Sequence, residues 1–91
     1  MNTMNIGQMQ IGQIVFSKKG RDKGKAMVII SVEDEYVFLA DGQLRPLNKP
    51  KKKKSKHIQP TLTVIEGLET ATIGGLTDAD IRKWLKSFLQ G

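Results

Sequence analysis

Residues 49 to 56 read K-P-K-K-K-K-S-K, six lysines with no acid among them, and no other stretch limits the fold as strongly. Charges at that density stay in water, so the segment cannot run through a core. Apolar, strand-like patterns end at Leu47 before it and begin near Leu62 after it. The run is therefore held against a folded body, unlike a basic tail or a linker between domains. Pro50 favours an extended backbone ahead of the lysines and presents them on alternate sides. These six charges equal the whole formal net charge of +6. A second basic cluster, Lys18, Lys19, Arg21, Lys23 and Lys25, is relieved only by Asp22.

The apolar residues are grouped as a β protein requires. In Gly12–Ser17, Ile14 and Phe16 fall on one side of a strand, and Ala26–Val32 is apolar enough to be buried on both faces over part of its length. Between them lies a glycine-punctuated loop, Lys18–Lys25. Glu33-Asp34-Glu35 is a turn, and Tyr36–Ala40 is a third strand. Asp41-Gly42 is a hairpin signal, because a type I′ turn needs positive φ. It predicts a short return strand over Gln43–Leu47, with Pro46 at an edge or at its end. Pro60 opens Thr61–Ile65, a fifth strand expected to close against the first. Short strands joined by tight turns suit a small, bent antiparallel sheet closed into a barrel.

The period then changes. Ile81, Trp84, Leu85, Phe88 and Leu89 recur at helical spacing, so the tail is an amphipathic helix packing through Trp84, Leu85 and Phe88. Thr77 is its N-cap, Asp80 the acidic member of a capping box, and Leu76 can staple onto Ile81. The expected organisation is a leader over 1–10, a barrel over 11–66 that includes the basic segment 49–57, and a linker and helix over 67–91 with Gly74-Gly75 as hinge. The 91 residues fit one domain, and the chain contains no cysteine, so disulfides and thiolate metal sites are excluded. The longest unbroken apolar run, Ala26–Ile30, is far short of a bilayer span, and no basic, apolar export signal opens the sequence. A cytoplasmic location is expected.

The chemistry on offer is phosphate binding. Gly20 and Gly24 permit positive φ and close approach of backbone to a ligand, while Lys18, Lys19, Arg21, Lys23 and Lys25 splay outward around them. Lys49, Lys51, Lys52, Lys53, Lys54, Lys56 and His57 form the second half of the surface. Lysine is a flexible point charge and reads no bases, so it supplies affinity with little sequence specificity. Arg45, on the return strand, offers the most directional phosphate contact; its competing role is an ion pair with Asp41 or Glu35. Tyr36 and Phe38 are either core residues or bases' stacking partners. A nucleotide-binding loop is excluded at Gly20–Ala26: the glycines are one residue too close, Ala26 stands where a hydroxyl would hold magnesium, and a strand follows where a helix should. His57 has no orienting carboxylate, and Glu33-Asp34-Glu35 is a solvated turn, so neither catalysis nor a metal site is expected.

The segment Gly12-Gln13-Ile14-Val15-Phe16-Ser17-Lys18-Lys19-Gly20-Arg21-Asp22-Lys23-Gly24-Lys25-Ala26-Met27-Val28-Ile29-Ile30 resembles a KOW motif, with Gly24 at the motif's characteristic glycine. With Ala40–Arg45 and Lys49–His57, the pattern is similar to the small bacterial KOW-domain RNA-binding proteins related to ribosomal protein L14e. Ala26-Met27 departs from it, since many KOW sequences place another glycine there. The resemblance covers Ile11 to about Gln59. It implies a mainly β fold, an SH3-like barrel of about five strands with a C-terminal helix appended. It also implies non-catalytic binding of RNA, ribosomal RNA first, with ribosomal proteins as further partners and no cofactor or small-molecule substrate. Two rivals share the same lysines: a module docking an acidic protein partner, and general DNA binding.

Overall fold

The computed structural model describes residues 9–65 and 76–91. Most of the expected leader, and the linker with its Gly74-Gly75 hinge, lie outside these residues. Five antiparallel strands, β1 (Gln13–Ser17), β2 (Ala26–Glu33), β3 (Tyr36–Ala40), β4 (Lys51–Lys54) and β5 (Ile58–Val64), form one open sheet in the order β4-β3-β2-β1-β5. A helix, α1 (Asp78–Gln90), follows. Among the described residues no helix is long and apolar enough to cross a membrane.

The centre of the sheet is buried on both faces. Ile14 and Val28 are directly paired, and with Ala26 they meet Ile81 and Leu85 of α1; Phe16, Trp84 and Phe88 flank this layer. The Phe16 and Phe88 rings lie 6.1 Å apart, tilted by 48°. On the other face Val15, Met27, Ile29, Val37, Leu39 and Ile58 form a second core. Alternation along each strand divides the two sets, which is why β1 and the first half of β2 read as unbroken apolar runs. Each such side chain, fully removed from water, contributes roughly 1.5–3 kcal/mol.

The expected Glu33-Asp34-Glu35 turn narrows to Asp34-Glu35, with Asp34 at φ 51° and Glu33 ending β2, and β5 pairs with β1 as expected. That strand starts earlier than its proline implied. Pro60 sits inside β5 opposite Val15, which an edge strand beside a register shift tolerates. Gln13, itself buried, serves this irregularity by donating to the Thr61 carbonyl at 2.9 Å. The helix begins as read from its caps: Thr77 and Asp80 make a reciprocal capping box, and Leu76 packs on the Ile81 layer. Leu89 departs from the expected apolar face and is 62% exposed.

The return strand over Gln43–Leu47 does not form. Residues 41–50 are a loop, and the strand pairing with β3 is the lysine run itself. The reason is tertiary. Asp41 turns the chain by accepting from the Gln43 and Arg45 amides, and Asp78 at the start of α1 takes the Leu47 amide at 2.7 Å. Arg82 donates to the Gly42 carbonyl at 2.6 Å. With these groups engaged by the helix, the next free extended segment pairs with β3, and its lysines leave a charged edge that resists further pairing.

Gly42 (φ +81°) is where helix and loop touch: a Cβ there would lie 2.5 Å from the Asp78 carbonyl oxygen. Gly24 (φ +85°) has nothing within 4 Å of the same position. Gly42→Ala should therefore cost about 2–4 kcal/mol, combining left-handed strain with overpacking, while Gly24→Ala should cost about 1–2 kcal/mol from strain alone. Urea denaturation of the two variants checks this ordering.

Candidate functional site

Four of the five loop cations expected to face solvent do so. Lys18, Lys19, Arg21 and Lys23 are exposed, whereas Lys25 is half-buried and lies 3.7 Å from the Asp41 carboxylate. Gly20 and Gly24 have φ of +80° and +85°, the conformation their positions were expected to need. The loop is tied at its neck by Gly24 N–H donating to the Ser17 carbonyl at 2.8 Å, and by Ser17 N–H donating to Lys25 at 3.1 Å.

Arg45, 27% exposed, forms its ion pair with neither Asp41 nor Glu35. Its Nε and Nη2 donate to Asp22 Oδ2 at 3.2 and 3.1 Å. Asp22 is buried, with a side chain 3% exposed. This pair joins the β1–β2 loop to the β3–β4 loop and consumes the one acid inside the basic cluster, leaving the surrounding lysines without an internal counter-charge. The sequence signal for it was available: Asp22 is the single carboxylate in a loop of cations.

The lysine run divides by register. Residues directly opposed across an antiparallel ladder share a face. Lys51 and Lys53 oppose Leu39 and Val37, the inner-core side; Lys52 and Lys54 oppose Phe38 and Tyr36 on the other side. Lys53 then reaches the first basic segment: its Nζ donates to the Lys19 carbonyl at 2.7 Å and would lie 3.2 Å from a Cβ on Gly20. The two clusters, far apart in the chain, thus meet. Lys52 Nζ lies over the Tyr36 ring, 4.5 Å from its centroid, and 5.8 Å from that of Phe38, a cation–π contact worth about 0.5–1 kcal/mol where exposed. Lys56 is exposed in the 3-10 turn Ser55–His57, and Lys49 in the loop before β4.

His57 sits where the segments converge, its carbonyl accepting from the Lys18 amide at 2.8 Å. Its pKa is held below the ordinary 6.5, first by burial and then by the charges of Lys19, Lys56, Lys53 and Lys54. Cations from both basic segments therefore act on one imidazole. Among the described residues the ion pairs are Lys25–Asp41 and Arg45–Asp22, so the lysines of the run stand without a carboxylate within 4.0 Å. Among the same residues no three His, Asp or Glu side chains converge as a metal site would need. Compared with known proteins, the chain matches no family model and no curated sequence.

Two outcomes follow. Arg45→Met should destabilise the fold by about 3 kcal/mol, because it strands a buried carboxylate; adding Asp22→Asn should recover part of that loss, as read from urea midpoints. Because the folded His57 has a depressed pKa, the unfolded chain binds its proton more readily. The associated stability is complete above pH 6.5 and declines as pH falls below 6.5 toward the folded pKa. His57→Gln should flatten that decline, and an NMR titration of His57 should give a midpoint under 6.5.

Proposed function

We propose that this chain is a non-catalytic RNA-binding protein that grips phosphate backbone with the β1–β2 loop and the lysine run acting together. The observation that carries the reading is the Lys53–Lys19 contact, which makes one cationic surface of two basic segments. With no carboxylate of the described residues within 4.0 Å of the run's lysines, that surface repels itself in the free protein, and a polyanion relieves the repulsion while releasing its own condensed counterions. Exposed Lys18, Lys19, Arg21, Lys23 and Lys56 and half-buried Lys54 are the phosphate ligands, with exposed Lys49 and Lys52 and half-buried Lys51 and Lys53 completing the surface and Gly20 and Gly24 allowing close approach. Arg45 acts through Asp22 to hold the loop and touches no phosphate.

We further propose that the sheet is a KOW-type, SH3-like barrel. The 3-10 turn joins the two edge strands β4 and β5, and the Lys53 and Lys18 contacts draw the ends of the sheet toward each other. On this reading ribosomal RNA is the first ligand to try, with ribosomal proteins as further partners.

About six phosphate contacts give log K against log salt a slope of roughly −4 for single-stranded RNA. Lys19→Gln with Lys23→Gln, and separately Lys54→Gln with Lys56→Gln, should each reduce the slope by roughly 1.4. A wild-type slope near zero, or a reduction from only one pair, rejects the joint surface. Displacement of RNA by polyglutamate of equal charge would favour the acidic-partner reading, and equal competition by duplex DNA would favour general DNA binding.

A further inference from the structure

The phosphate grip described above leaves two aromatic side chains without a role. Along β3, Val37 and Leu39 point into the inner core and are fully buried, so Tyr36 and Phe38 point to the opposite face, where both are only half-buried. Among the described residues, neither ring joins the layer under α1 or the inner core. Both lie next to the charged edge. Lys54 stands opposite Tyr36 and Lys52 opposite Phe38, and the Lys52 ammonium lies over the rings.

Resting on the RNA-binding reading, we propose that Tyr36 and Phe38 are a stacking platform for unpaired RNA bases, with Lys52 and Lys54 holding the adjoining phosphates. Aromatic rings beside a cationic track are what sequence-tolerant single-strand binding requires, since every base has a π-face. The spacing selects the ligand. Rings two residues apart on a strand are separated by about 6.8 Å, roughly twice the 3.4 Å rise of stacked bases, so consecutive bases can occupy both rings only when unstacked from each other. In a duplex those π-faces are already covered.

The neighbours set the polarity of the site. On the β2 side Ser31 opposes Phe38 and leaves room beside the ring, while Glu33 opposes Tyr36 and repels phosphate. The RNA backbone therefore runs along the β4 side. In the free protein Lys52 occupies the ring face; on binding, its flexible stem carries the ammonium to a phosphate and a base takes its place.

The test compares a CACACA ribonucleotide with an abasic ribose-phosphate strand of equal length and with an RNA duplex of equal charge. The CACACA strand should bind about ten-fold or more tightly than either. Tyr36 is the single tyrosine of the chain, so its ring protons are identifiable by NMR, and they should shift upfield with CACACA and not with the abasic strand. Tyr36→Leu with Phe38→Leu should lower CACACA affinity to the abasic value while leaving the salt slope unchanged. Equal binding of the based and abasic strands, or no ring shift, overturns the platform and leaves the phosphate grip standing. Failure to bind either strand overturns both readings. Should the double variant not fold, the wild-type ring shift and the abasic comparison decide the question alone.

Discussion

A buried carboxylate, Asp22, organises the charged end of this molecule. A nearly dry carboxylate is costly unless a partner meets it with good geometry, and Arg45 does so through two donors. The pair spans two loops that would otherwise repel each other through their lysines. It also gives Arg45 a structural role within the fold. Beside it, Asp41 holds Lys25 and the backbone of its own turn, so the two acids in this region are spent inward and the outer surface is left positive.

The helix has a role beyond burying apolar surface. By taking the Leu47 amide and the Gly42 carbonyl, its first two turns hold residues 41–47 away from β3. The sheet edge is thereby opened to the lysines. A segment that would be solvated anywhere else becomes an ordered strand, with its charges alternating between two faces. On the proposed reading, order of that kind would lower the entropy lost on binding a polyanion, since the backbone carrying the lysines is already fixed.

The same alternation separates two kinds of contact. Lys51 and Lys53 lie on the inner-core side, where Lys53 reaches the β1–β2 loop; Lys52 and Lys54 lie beside the rings of β3. On the proposed reading, phosphate attraction without sequence information and stacking without base-edge readout would be complementary, and together they would favour flexible, unpaired polyanions.

Local pattern alone determined much of this architecture. The strands β1, β2 and β3 follow from β-branched and apolar runs, the loop glycines from the need for positive φ, and the helix from its capping box and its Ile81, Trp84, Leu85, Phe88 spacing. These depend on neighbours in the chain, so the order of residues was sufficient. The use of Lys51–Lys54 as a strand, the start of β5 ahead of Pro60, the partnership of Asp22 with Arg45, and the meeting of Lys53 with Lys19 were decided by tertiary structure. Each depends on residues distant in the chain, brought together when α1 and the strand pairing satisfy polar groups that local pattern leaves unassigned.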